Sequence, residues 1–209
     1  MDLGPASFEE PASNIGQICL CGSRIYVERT VFDDFVKEFV AYVGASYKVG
    51  ERVGAVVSLA HYRKVRSYLA QAEKEGADFA LGEVPVETPA GGYWIKPTVL
   101  VGVSTSSIVM REEIFGPVAT IAPFDTEDEA VSLANDNPNG LAAVILTRDG
   151  ARMRRVAEQL EAGLVWVNCW LVRQLATPFG GMKSSGTGRE GGSYSRDVFT
   201  TVRTVHLPM

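Results

Sequence analysis

"LAAVILTRDGARMRRVAEQLEAGLVWVN", residues 141–168, reads as strand, helix, strand. "LAAVILT" is a continuous apolar run of strand length, the pattern of a strand buried on both faces. Asp149 stands where a helix N-cap is wanted, and Met153, Val156, Ala157 and Leu160 fall on one side of the helix that follows. "LVWVN" is a second apolar strand. Parallel neighbours need a helical crossover of this kind. The stretch therefore predicts an α/β fold with a largely parallel sheet.

Upstream the same alternation recurs. "REEIFGPVATIAPF" places a turn at Gly116-Pro117 and then a buried strand, and Thr126 with Glu129 forms a capping box for the helix "EDEAVSLAND". "YWIKPTVLVGV" and "DFALGE" read as extended, separated by the turn region "VPVETPAGG". Ser58 caps a helix through "LAHYRKVRSYLAQAEKEG", with Val65, Leu69 and Ala72 inward and Gly76 closing it. Phe32, Phe35, Val36, Phe39, Val40 and Val43 mark another helix, with Thr30 and Asp33 as its expected capping pair. "QICLCGSRIYV" reads as an extended apolar segment entering a strand.

Downstream the alternation stops. Cys169 to Tyr194, "CWLVRQLATPFGGMKSSGTGREGGSY", is a long glycine-rich loop. Loops of this length are functional or disordered, and Trp170, Phe179 and Tyr194 favour function, because disordered segments are aromatic-poor. "FTTVRTVHL" at the end alternates like an edge strand, suited to pairing with this sheet or another subunit's.

Composition bounds the function. The chain has 209 residues, 46% hydrophobic and 22% charged, with a net charge of −5. Lys and Arg are scattered, so no nucleic-acid partner is expected. No apolar run reaches the roughly 18 residues of a membrane span, and "MDLGPASFEEPASN" has no apolar core of a signal peptide. Three cysteines make no disulfide framework, which points to a reducing, cytoplasmic setting.

Two of those cysteines stand in "NIGQICLCGSR", residues 14–24. A metal clip needs four converging ligands, commonly in wider Cys spacings, and a redox pair usually has two intervening residues. Two small buried hydrophobes are the plain alternative. Alternation does not separate Cys19 from Cys21, since both share a face of an extended segment. Position favours Cys19, which follows a Gly-Gln turn where backbone N–H groups can face an oxyanion and a thiolate can attack a carbonyl. In "REEIFGPV", a carboxylate on a rigid turn can accept hydrogen bonds from paired sugar hydroxyls, or both acids are simply solvated. "PFGGMKSSGTGRE" lacks the spacing of a phosphate loop, and "GTGREGG" is a weak dinucleotide fingerprint.

"NIGQICLCGSR", "EEIFGPV" and "PFGGMKSSGTGRE", in this order and with "PTVL" and "GLVWVN", resemble the aldehyde dehydrogenase superfamily from about Asn14 to His206. "GLVWVNCWLVRQLATPFGGMKSSGTGREGG" is most similar to the 2-aminomuconic and 2-hydroxymuconic semialdehyde dehydrogenases. The resemblance implies NAD(P)+-dependent oxidation of an aldehyde, here a carboxylated semialdehyde, through a Cys19 thiohemiacetal and thioester. It implies that Glu113 binds the nicotinamide ribose, that Phe115 lies beside the nicotinamide, and that His61 and Lys64 lie near the adenosine ribose. It puts Phe179 in the substrate tunnel with Trp170 nearby, and makes Arg173 the holder of a substrate carboxylate. No metal is implied.

By the same resemblance, residues 14–194 form a three-layer α/β catalytic domain, behind a leader at 1–13. Residues 195–209 form a helix turn and an edge strand for oligomerisation. The family's dinucleotide-binding domain, general-base Glu and oxyanion Asn all precede the nucleophile, and "MDLGPASFEEPAS" supplies none of them. The expectation is the catalytic half of such an enzyme, self-associating or completed by a partner chain, with little activity alone. The alternative is a truncated, non-oxidising thiol protein, acting as a weak esterase, an oligomer partner or an inactive remnant.

Overall fold

Residues 13–87 and 91–209 are described in a computed structural model. The first strand, β1 (Arg24–Glu28), leads through a 3-10 turn at Arg29–Val31 into α1 (Phe32–Ser46). Phe35, Phe39 and Val43 of α1 are buried, as the spacing predicts. The expected Thr30–Asp33 cap does not form. Thr30 Oγ1 donates instead to Glu28 Oε1 at 3.1 Å, and the N-cap position falls to Val31, which has no side-chain cap bond. A local hydroxyl–carboxylate bond competes with capping at this range.

Helix α2 (Leu59–Lys74) starts where Ser58 Oγ accepts from His61 N, and Gly76 follows its end at φ +81°. Val65, Leu69 and Ala72 are fully buried on its inner face. Then come β2 (Asp78–Leu81), β3 (Thr98–Val101), the short α3 (Ile108–Arg111), β4 (Val118–Phe124) and α4 (Glu127–Asn135). Thr126 caps α4 by accepting from Glu129 N, and the Glu129 carboxylate reaches back to Asp125 N at 2.7 Å.

These strands make one sheet in the order β1-β4-β3-β2. β4 is parallel to both neighbours, pairing Arg24 with Thr120 and Thr98 with Val118. β2 runs antiparallel to β3, with an irregularity between Phe79 and Leu81. Successive residues Thr98, Val99 and Leu100, and Val118 to Ile121, are all buried. Both faces of the central strands are therefore covered, which explains their unbroken apolar runs.

The remaining elements are β5 (Asn139–Gly140), β6 (Ala142–Ile145), α5 (Gly150–Gln159), β7 (Leu164–Val167), β8 (Met182–Lys183) and α6 (Gly192–Phe199). β6 and β7 are parallel across α5, whose cap Asp149 accepts from Ala151 N and Arg152 N. The strand–helix–strand reading of 141–168 thus holds. Its sheet differs from expectation: β6–β7 stands as a separate parallel pair, and β5–β8 as a separate antiparallel one. The fold is mixed α/β with a largely parallel main sheet, as predicted, and β2 adds an antiparallel edge. The segment at 200–209 pairs with no described strand of this chain, and Val202, Val205 and Leu207 are exposed. The expected leader lies outside the described residues, apart from Ser13.

Candidate active site

The nucleophile segment is turn rather than strand. Asn14, Ile15 and Gly16 all have positive φ (46°, 55° and 70°). For β-branched Ile15 this is a strained conformation, held by burial of its side chain and by the Gln17 N to Asn14 O bond at 3.0 Å. Gly16 has no substitute: a Cβ there would lie 2.0 Å from the carbonyl oxygen of Gly116. The segment is thus seated directly on the Gly116-Pro117 turn. Gln17 Oε1 accepts from Val57 N at 3.2 Å and ties it to the approach to α2.

The consequence falls on the two thiols. Cys19 sits in the turn and is exposed, while Cys21 is half-buried, its amide donating to Ile18 O. The expected extended path would have put both on one face. The turn separates them.

The turn at 112–117 is gripped from one face of α2. His61 Nε2 bonds Phe115 O at 2.5 Å, Lys64 Nζ donates to Glu113 O at 2.9 Å, and Tyr68 Oη donates to Glu112 Oε2 at 2.6 Å. These residues lie three and four apart, the spacing that lines one helical face. Arg24 Nη1 reaches Glu112 O at 3.4 Å from β1. Burial lowers the Arg24 pKa below the ordinary guanidinium value, with the nearby Tyr26 and Glu113 acting in the opposite sense. Burial, and then the bond to Glu112, push the Tyr68 phenol up to about 12. Phe115 adopts φ +60°, unusual for an aromatic residue, and its ring stands edge-on to His61 at 6.3 Å. Glu113 itself is exposed, with its backbone pinned.

The resemblance placed His61 and Lys64 beside a ribose. Here their polar atoms hold the turn that carries Glu113 and Phe115. Tyr68 and Arg24 belong to this set and were not foreseen. Tyr68 was legible as a residue seven beyond His61; Arg24 gave no signal.

The late loop meets the nucleophile segment on another side. Trp170 Nε1 donates to Leu20 O at 3.2 Å, one residue beyond Cys19. Arg173 lies over the Phe179 ring, 4.3 Å from its centroid, and its Nη2 meets Glu190 Oε1 at 3.1 Å. The three expected substrate residues therefore divide: Arg173 and Phe179 are together, and Trp170 is against the nucleophile segment. Trp166 Nε1, donating to Val172 O at 2.9 Å, supports the loop from β7. A shallow depression along α5, lined by Gly150, Met153, Arg154, Ala157 and Glu158, contains none of these residues. Among the described residues no group of three or more His, Cys, Asp or Glu is placed to hold a metal, and no helix is long and apolar enough to cross a membrane.

The site thus brings together an exposed thiol in a strained turn, a carboxylate turn with a pinned backbone and an arginine-bearing loop. The sequence matches the aldehyde dehydrogenase family over residues 6–205, and the chain belongs to that family. It is 45% identical to the 2-aminomuconic semialdehyde dehydrogenase of Mus musculus over 97% of this chain and 44% of that protein. It is 46% identical to the 2-hydroxymuconic semialdehyde dehydrogenase of Pseudomonas sp. (strain CF600), over 92% of this chain and 41% of that one. Among solved structures, the NAD+ complex of aldehyde dehydrogenase from Bacillus cereus superposes with a TM-score of 0.88 at 38% identity, covering 96% of this chain and 41% of that one. The Mycobacterium tuberculosis aldehyde dehydrogenase complexed with NAD+ gives 0.90 at 34%, covering 98% and 43%. The chain thus spans about four-tenths of the length of the relatives it matches.

Proposed function

We propose that this chain carries the nucleophile-bearing part of an NAD(P)+-dependent aldehyde oxidation, with a carboxylated semialdehyde as substrate. The observation that carries the reading is the exposure of Cys19 in a turn seated on the Glu113–Phe115 turn. As thiolate, Cys19 attacks the aldehyde carbon and a C–S bond forms. The Cys19 amide N–H donates to the resulting oxyanion, as backbone donors at such turns do. The adduct then loses its C–H hydrogen with the electron pair, leaving a thioester. Water attacks the acyl carbon, the C–S bond breaks, and acid and thiol are released.

The nicotinamide group, when bound, accepts that hydride. The turn suits one end of such a cofactor: Glu113 presents an exposed acceptor carboxylate to paired ribose hydroxyls, and Phe115 presents a ring beside them. Lys64 and His61 keep both in place through the backbone. On the substrate side Arg173 offers a planar fork to a carboxylate, a role that Lys serves poorly.

The test is NADH production from a semialdehyde by the chain and by Cys19→Ser, alongside cleavage of an activated ester. Whatever NADH production is seen, in any assembly state, is expected to be abolished by the substitution. Slow Cys19-dependent ester cleavage without NADH, in every assembly state, overturns the oxidation and leaves a non-oxidising thiol protein. For Arg173, exchange to Lys is expected to raise KM for carboxylated aldehydes and spare uncharged ones.

A further inference from the structure

We propose that Glu190 is the resident counter-ion of a carboxylate subsite centred on Arg173, and that it sets how strongly the site prefers carboxylated aldehydes. This deepens the functional reading above and rests on it for the identity of the substrate.

The subsite is built as one unit. Phe179 and Glu190 exchange two backbone bonds, both 2.8 Å, so the two positions are fixed side by side. Arg173 closes over them, its guanidinium on the ring and one terminal nitrogen on Glu190. The arginine's own strand of the loop is held on both sides. Trp166 holds Val172, and Gly192 N donates to Leu175 O at 3.2 Å. Gly191 permits this approach, since a Cβ there would lie 2.3 Å from Thr177 O. The neighbouring cation does not compete: Arg189 Nη1 donates to Gly181 O and Gly188 O.

The pair is arranged to exchange. Its side chains are 41% and 63% exposed, and exposed pairs are weak. A guanidinium has five donors in a rigid fork, whereas the Glu190 contact runs through one nitrogen. An incoming carboxylate can take both edges of the fork in place of Glu190, acid for acid, while the ring keeps the plane oriented. Glu190 thus holds Arg173 in its binding pose between substrates and competes with the ligand it is poised for.

The position relative to Cys19 makes the idea measurable without turnover. Trp170 touches the nucleophile segment at Leu20, and Arg173 is three residues further on. Three extended residues span at most about 11 Å, inside the Debye length of about 30 Å at about 0.01 M salt. Alkylation of Cys19 in the intact chain is followed by peptide mass spectrometry, with iodoacetate and iodoacetamide compared at low ionic strength. Glu190→Gln is expected to raise the iodoacetate-to-iodoacetamide rate ratio at Cys19 by up to about 1.5-fold, the effect of one unit charge about 20 Å away in water. Arg173→Gln is expected to lower it by a similar factor. In the Arg173→Gln background the Glu190→Gln effect should shrink to near nothing. Glu190→Ala is expected to follow Glu190→Gln in direction.

An equal rise with and without Arg173 overturns the proposal, because Glu190 would then act only as a general negative charge. An unchanged ratio in Glu190→Gln overturns it as well. Neither outcome depends on NADH production. Turnover that depends on Cys19 combined with an immobile ratio removes the counter-ion alone. The predicted ratios without turnover support the anion subsite and count against the dehydrogenase.

Discussion

The two halves of the candidate site are mounted differently. The Glu113–Phe115 turn stands on a deep core: every apolar side chain of the main buried cluster falls between Ile15 and Ile121. Beyond Ile121, the buried apolar side chains among the described residues are Val131, Ile145 and Trp166. The arginine-bearing loop therefore belongs to the thinly packed stretch that follows Ile121. It is positioned by hydrogen bonds from Trp166 and Trp170 and by the Phe179–Glu190 bridge. The difference teaches that the Glu113–Phe115 turn has both polar contacts and a packed core behind it, whereas the Arg173 loop depends on directed polar contacts. Local stability should follow the same division, since opening is easiest where buried apolar contacts are few.

The largest expected effect breaks the packed side. Leu69 is fully buried between α2 and the sheet's core cluster, so Leu69→Ala is expected to cost about 2–5 kcal/mol. Urea unfolding checks it, and a loss well below that range would show that the core is less tightly packed than its burial implies. Trp166→Phe tests the polar side. It removes the donor to Val172 O while keeping an aromatic ring in place, with a cost of about 0.5–1.5 kcal/mol. Hydrogen exchange should speed up over residues 170–192 and stay slow in β3 and β4. Equal loosening of both regions would erase the proposed division.

The smallest effect at neutral pH comes from Tyr68→Phe, and it sharpens with alkali. The Tyr68 phenol is held up at about 12 by burial and by its bond to Glu112. A pKa raised in the folded state contributes stability that is fully present below the unfolded value, about 10 for tyrosine. That contribution is lost as pH rises through the folded value. Tyr26 and Tyr62 are raised too, mainly by burial, so the quantity to read is the difference between wild type and variant. Between pH 10 and about 12 the wild type should lose more stability than Tyr68→Phe. Parallel curves would mean that Tyr68 does not hold Glu112.

Much of the fold was legible because its signals are local. A cap needs one side chain within three residues of a backbone amide, so Ser58, Thr126 and Asp149 could be read from spacing. The inward stripe Val65, Leu69, Ala72 needs only the helical period. Thr30 shows the limit of such reading, because a second local partner, Glu28, took the hydroxyl. The antiparallel edge at β2 was not legible, since the excursion between β2 and β3 hides which way the strand returns.

For the site, sequence by itself determined the motifs, their order and the residue types: a thiol after Gly-Gln, an acid before Phe-Gly-Pro, an arginine before Pro-Phe-Gly-Gly. Only tertiary structure decided what each one touches. The left-handed run at Asn14–Gly16, seated so closely on the Gly116 carbonyl that only glycine fits at 16, goes with an exposed Cys19 and a half-buried Cys21. His61 and Lys64 met backbone carbonyls more than forty positions away, and Arg173 met a glutamate seventeen positions along. Contacts at such separations follow from how the chain packs, and no local period encodes them.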